Sequence, residues 1–109
     1  MNINCTWRFT IVADDVAEVP AEVDRIMQHL LELEDGQLHD AAIGLDLATM
    51  SVEISIAVHA ESPDQGIVTA MSAIRAAVHA AGGSTPDWPM ADEVLRDGWQ
   101  LRHGQLTAA

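Results

Sequence analysis

The chain of 109 residues carries 17 acidic side chains against five basic ones, a net charge of −12 at neutral pH. Nucleic-acid binding relies on basic groups that neutralise phosphates, and anionic membranes attract basic segments, so this composition argues against both as partners. Cys5 is the only cysteine, which excludes an intramolecular disulfide. Since no apolar run approaches the ~18 residues of a membrane span, we expect a single cytoplasmic domain over residues 1–109.

The first half of the chain predicts a strand, a helix and a second strand. Residues 6–13 alternate between apolar and polar side chains, which is the period of a half-buried strand. Residues 19–33 repeat apolar side chains at helical spacing, and Gly36 follows as a helix-ending glycine. Residues 38–48 predict the second strand, and the short link at 49–51 predicts an antiparallel hairpin with the strand that follows. The predicted inward side chains of the two strands are Trp7, Phe9, Ile11, Ile43, Leu45 and Leu47.

The clearest local pattern is a strand at residues 52–58 that leads into a helix at residues 63–81. The strand has a β-branched side chain at every second position, and the helix that follows has an apolar stripe. Ser62 with Gln65 three residues later forms a capping-box pattern at the start of the helix. A glycine pair at positions 82–83 predicts its end.

The last part of the chain predicts a long connection and one more strand. The connection covers residues 82–98, with one or two helical turns at 91–97, and residues 99–103 alternate as a strand before a frayed end at 104–109. The resulting order is strand, helix, strand, strand, helix, strand. With right-handed crossovers it predicts an α+β, ferredoxin-like βαββαβ fold, a four-stranded antiparallel sheet with two helices on one face.

The sheet face away from the helices collects polar side chains. It is either a solvated face with cross-strand ion pairs of little energetic value or a contact surface between copies of the chain. A small-molecule pocket is a third alternative. The candidate ligand or partner residues on this face are Arg8, Thr10, Asp46, Glu53, Ser55, His59 and Arg102.

Two further candidates lie in loops. Asp14 and Asp15 follow the first strand, where two carboxylates either bind a hard cation or form a negatively charged turn before a helix. Trp88 lies in a proline-bound loop. It is either a plug over the core or an exposed anchor for a partner, and we expect the plug because the chain has few aromatic residues.

No catalytic, metal or cofactor pattern is present in the sequence. The five histidines lie ten or more residues apart, so none has the i, i+4 spacing of a helical metal site. No serine or cysteine lies in a nucleophile turn with a histidine and an acid placed around it. We therefore expect a protein that is not an enzyme and holds no cofactor.

At the level of fold pattern, residues 6–81 resemble small ferredoxin-like regulatory modules of the ACT type. The resemblance covers the strand at 7–13, the acidic loop Asp14-Asp15, the first helix, the hairpin and the second helix. ACT-type modules pair through strands and helices and bind small effectors near the first strand-to-helix loop. The resemblance implies such a site near Asp14, Asp15 and Val16, although the Asp-x-Pro-Gly type of turn is missing here.

These observations favour a non-enzymatic module for protein association. We expect a homodimer or higher homo-oligomer first, and a basic protein partner bound through the acidic surface second. The first alternative is a small-ligand-sensing regulatory domain. A further alternative is an acidic inhibitor or nucleic-acid mimic.

Overall fold

The computed structural model describes residues 1–85 and Trp88, together with the backbone alone of residues 99–108. Three strands and two helices form its main body. In chain order they are β1 (Asn2–Ala13), α1 (Val19–Leu33), β2 (Leu38–Asp46), β3 (Ser51–His59) and α2 (Pro63–Ala80). A 3-10 turn, Val16–Glu18, leads into α1. The predicted helical turns at 91–97 lie outside the described residues.

The three strands form an antiparallel sheet in which β3 lies between β2 and β1. β1 is longer than predicted, because its pairing with β3 already begins with Asn2 opposite His59. β2 and β3 form the predicted antiparallel hairpin. The predicted α+β class, with an antiparallel sheet and two helices, is therefore confirmed.

One face of the sheet carries the hydrophobic core. Trp7 lies opposite Ile54 and Phe9 lies opposite Val52, and all four side chains are almost fully buried. Burial of each such side chain contributes roughly 1.5–3 kcal/mol, so this alternating pattern fixes which face is covered. The two helices pack onto that face with Val19, Ile26, Leu30, Met71, Ile74 and Val78.

The predicted signals at both ends of α2 are confirmed. The Ser62 hydroxyl accepts a hydrogen bond from the Gln65 amide at 3.2 Å, and the Gln65 side chain accepts one from the Glu61 amide at 3.0 Å. At the other end, Gly82 at φ 92° and Gly83 each donate an amide hydrogen bond of 3.0 Å to the last turn. These two bonds form a Schellman motif, which needs the left-handed conformation that glycine adopts without strain.

The end of α1 differs from the prediction at Gly36. The helix ends at Leu33, and Gly36 is not among the residues with a positive φ. Instead, the Asp35 carboxylate accepts hydrogen bonds from the amides of Gln37 at 2.7 Å and Leu38 at 3.0 Å. This Asx turn redirects the chain toward β2 without a left-handed residue. The same two bonds hold the pKa of Asp35 below its ordinary value.

The predicted inward position of Leu47 is wrong. β2 ends at Asp46, and Leu47 lies in the following turn with 45% of its surface exposed. The Asp46 carboxylate accepts the amides of Ala48 at 2.9 Å and Thr49 at 3.3 Å, which stops the strand. In the sequence the apolar alternation extends to Leu47. The strand has already ended there, because the Asp46 side chain accepts the backbone amides that follow.

The backbone of Trp99–Ala108 runs antiparallel along the other edge of β1. The pairing continues past His103, where the sequence predicts a frayed end to begin. The α+β arrangement of three antiparallel strands and two helices does not depend on this segment. The ferredoxin-like assignment needs it as a fourth strand and stays a prediction.

Candidate interaction surface

The sheet face away from the helices gathers most of the predicted site residues. The alternation that buries Trp7 and Ile54 places their neighbours Arg8 and Glu53 on the other side, where both are exposed. We call this surface the open face, because no described helix covers it. Its members are Asn2, Asn4, Thr6, Arg8, Thr10 and Val12 on β1, His39, Ala42, Gly44 and Asp46 on β2, and Ser51, Glu53, Ser55, Ala57 and His59 on β3.

A shallow depression lies where the three strands bring opposite charges together. Arg8 and Gly44 lie directly opposite Glu53, one on each neighbouring strand. Gly44 has no side chain, and no atom lies within 4 Å of where its Cβ would stand, so the surface is low at this point. The depression measures ≈ 250 Å³ and is lined by Arg8, Gly44, Leu45, Asp46, Ser51 and Glu53.

The charged side chains of the depression are not neutralised by their neighbours. Neither Arg8 nor Glu53 forms an ion pair with a residue whose side chain the structure describes. Asp46 uses one carboxylate oxygen to accept the two turn amides. Arg25 differs, because it bonds Glu22 one turn away on α1. The open face therefore presents a cation and an anion side by side, both available to another molecule.

The centre of the open face is flat and polar. The hydroxyls of Thr6 and Ser55 lie 2.8 Å apart and share a hydrogen bond across β1 and β3. Ala57, next along β3, is small and only 3% exposed. Toward the end of the strands, His59 Nδ1 lies 3.0 Å from the Asn2 side-chain oxygen. Thr6 was not among the predicted site residues, although the alternation of β1 already places it on this face.

The acidic loop after β1 stabilises its own turn. The Asp15 carboxylate accepts the Ala17 amide at 3.0 Å and so caps the 3-10 turn before α1, while Asp14 is exposed. Within the described part of the chain, no three His, Cys, Asp or Glu side chains are placed to hold a metal ion. This arrangement supports the interpretation of a negatively charged turn at the start of a helix.

The four described histidines contact different partners in separate parts of the fold. His29 lies 3.5 Å from Glu32 and His39 lies 3.9 Å from Asp40. His79 lies 3.0 Å from the buried Thr85 hydroxyl. The side chain of His103 lies outside the described residues.

Trp88 is part of the core and does not belong to the interaction surface. Its side chain is 2% exposed and stacks on Phe9, with ring centroids 4.7 Å apart and an interplanar angle of 9°. The predicted plug is confirmed, and the alternative of an exposed anchor is wrong. Arg102 lies opposite Thr10 in the backbone register, and its side chain is outside the described residues.

A second depression lies between the two helices. It measures ≈ 190 Å³ and is lined by His29, Glu32, Leu33, Ala76, Ala77 and Ala80. Sequence periodicity gives no sign of it, because a gap between helices depends on how their side chains pack. Its wall is mostly apolar, and nothing in the described structure specifies an occupant.

Comparisons with protein-family models, with curated proteins and with solved structures find no match to this chain. Neither of the two described helices has the length and apolar character needed to cross a lipid bilayer.

Proposed function

We propose that this protein is a small association module that binds another protein molecule through its open face. The observation that carries the proposal is the exposed pair Arg8 and Glu53, adjacent in register and without an ion-pair partner among the described side chains. An exposed ion pair contributes only about 0–1 kcal/mol. Across an interface, the same charges determine orientation and partner choice.

The distribution of charge favours the open face over the rest of the surface. Residues 1–64 carry 13 acidic side chains against Arg8 and Arg25. Among the described members of the open face, the formal charges are those of Arg8, Asp46 and Glu53. The open face is therefore close to neutral, while other parts of the surface repel a second acidic molecule.

The strand edges are less suited to association than the open face. β2 contains a bulge between His39 and Ala42, and the exposed Asp40 within it has φ 56°. A bulge with a charged side chain is a common protection of an edge strand. On the other side of the sheet, the backbone of Trp99–Ala108 follows β1. Contact through the face is therefore favoured over contact through the edges of β2 and β1.

The proposal includes the complete ferredoxin-like sheet and the cytoplasmic location that the sequence predicts. Trp99–Ala108 as the fourth strand adds roughly 4.8 Å to the width of the open face and brings Arg102 to a position opposite Thr10. Association also agrees with the resemblance to ACT-type modules, which pair through strands and helices.

Sedimentation velocity over a range of protein concentrations tests the association. The wild-type chain is expected to shift from monomer to dimer as its concentration rises into the high micromolar range. Thr10→Arg places a long charged side chain on the open face and is expected to weaken the dimer. Val68→Arg adds the same charge to an exposed position on α2 and is expected to leave the dimer unchanged at physiological salt, which screens most of the repulsion between the net charges. A monomer at every concentration contradicts the proposal.

A second candidate function, binding of a small polar ligand, is favoured by the ≈ 250 Å³ depression. Arg8 and Glu53 offer groups of both charges to one bound molecule. A thermal-shift screen of amino acids, nucleotides and divalent ions is expected to reveal a stabilising ligand if this function holds. The shift should be lost in Arg8→Ala. A screen with no stabilising compound counts against this candidate.

A further inference from the structure

We infer that the partner bound by the open face is a second copy of this chain. The two copies pack face to face about a twofold axis, so that Arg8 of each copy meets Glu53 of the other. This inference rests on the proposed association function and names its partner.

Twofold symmetry explains why neighbouring opposite charges point to a second copy. In a twofold interface, a contact from residue i to residue j is always accompanied by the contact from j to i. Arg8 and Glu53 are neighbours across β1 and β3, so one rotation satisfies both charges at once. The two charged groups are therefore complementary to a rotated copy of themselves.

A basic protein partner fits this surface less well. Such a partner needs a continuous acidic surface, whereas the open face places the Arg8 guanidinium beside the carboxylate of Glu53. A cationic group of the partner that approaches Glu53 also approaches Arg8. Its repulsion by Arg8 cancels much of its attraction to Glu53. The same pair of charges that favours a second copy disfavours a basic protein at this position.

The size of the open face sets the expected strength of the dimer. Three strands spaced about 4.8 Å apart, over nine or so positions of about 3.4 Å, cover an area on the order of 400 Å². A standard protein interface buries about 800 Å² on each partner. The dimer is therefore expected to be weak, with a dissociation constant in the micromolar range or above.

Charge reversal at the two positions tests the arrangement. Arg8→Glu and Glu53→Arg, each alone, place like charges opposite one another across the twofold axis and are expected to weaken the dimer at least tenfold. An equimolar mixture of the two variants is expected to form a heterodimer, because each reversed charge then meets an opposite one. Sedimentation equilibrium of each protein and of the mixture measures the effect.

Two control variants separate this effect from a change in net charge. Arg25→Glu and Asp24→Arg change the charge of α1 by the same amounts as the test variants. At physiological salt, which screens most of the repulsion between the net charges, they are expected to dimerise like the wild type. Circular dichroism checks that all four variants fold.

Each outcome of the charge-reversal experiment has its own meaning. A wild-type chain that stays monomeric overturns the proposed association and the inference with it. A dimer that survives both single reversals leaves association standing and overturns the face-to-face arrangement. Weakened single variants that are not rescued by mixing also overturn the arrangement. Rescue in the mixture supports it, since contacts within one copy are unchanged by mixing.

Discussion

Trp88 shows how one residue fixes the path of a long connection. The core of this chain is mainly aliphatic, and the indole of Trp88 stacks on Phe9 at its centre. Aromatic stacking contributes about 0.5–1.5 kcal/mol beyond the burial of apolar area. The residue therefore ties the connection between α2 and the last segment to the sheet.

Removal of this indole is expected to destabilise the fold strongly. Trp88→Ala should lower the free energy of unfolding by about 3–5 kcal/mol, the usual cost of removing a large buried side chain. Trp88→Phe keeps a stacking ring and should lose clearly less. Urea denaturation followed by circular dichroism measures both variants. A loss of under about 1 kcal/mol for Trp88→Ala contradicts the assigned role of Trp88.

Cys5 is a buried thiol with a clear consequence for alkaline stability. Its side chain is fully buried on β1, and this burial raises the pKa of the thiol above its ordinary value. The unfolded chain ionises first as the pH rises, so the folded state loses stability above the unfolded pKa and up to the folded pKa. The chain contains neither lysine nor tyrosine, so no other side chain ionises in the same alkaline range.

Stability is therefore expected to fall through Cys5 as the pH rises above about 8.5, the ordinary pKa of a cysteine thiol. Urea denaturation at several pH values should show this decline in the wild type and a flatter profile in Cys5→Ala. A thiol reagent at neutral pH should modify Cys5 only after unfolding. An identical alkaline profile in Cys5→Ala contradicts the assignment to Cys5.

At the scale of secondary-structure elements, the end of α2 depends on the left-handed conformation of Gly82. A side chain at φ 92° is strained. Gly82→Ala is expected to lower the free energy of unfolding by about 1 kcal/mol or more. Gly36→Ala is the matched control, because its Cβ meets no atom within 4 Å and its φ is not positive. Equal stability of the two variants in urea denaturation contradicts the Schellman end.

The buried faces of β1, β3 and α2 follow from sequence periodicity alone, since each has a strong apolar pattern. Periodicity does not predict where an element ends if a carboxylate accepts the backbone amides beyond it, as Asp35 does after α1 and Asp46 does after β2. An aspartate that forms such a turn looks in sequence like any other exposed acid. The bulge at Asp40 is also hidden, because a positive φ and a shift of register leave no mark in the apolar pattern.

The sequence predicts which residues lie on the open face, but it does not predict how they are arranged relative to one another. Alternation alone places Arg8 on one side of β1 and Glu53 on one side of β3. That the two are direct neighbours depends on the antiparallel register, which the sequence of either strand does not determine. The depression beside them also requires Gly44 on the third strand at the matching position.

At the scale of the whole molecule, charge repulsion opposes self-association. Two copies of net charge −12 stacked along the shortest dimension of 23 Å repel by about 26 kcal/mol in unscreened water. At 0.1 M salt the Debye length of about 10 Å reduces this to roughly 2–3 kcal/mol. Added salt also weakens the few Arg–Glu contacts across the interface. Its larger effect is to remove the repulsion between the two net charges, which stabilises the dimer.

The dimer is therefore expected to strengthen as salt rises from low to physiological concentration. Sedimentation equilibrium at several sodium chloride concentrations should give a dissociation constant that falls over this range. Glu32→Gln, which removes one negative charge from α1, should strengthen the dimer at low salt. A dissociation constant that rises steadily with salt contradicts this balance.

The most direct test of the association surface is the concentration dependence of the amide spectrum. Two-dimensional ¹⁵N–¹H spectra of the wild-type chain, recorded from micromolar to millimolar concentration, report which residues contact the partner. The expected result is a set of shifts confined to the open face and centred on Arg8 and Glu53, with the amide signals of α1 and α2 unchanged. Spectra that do not change with concentration, or shifts confined to α2 around Val68, would contradict it.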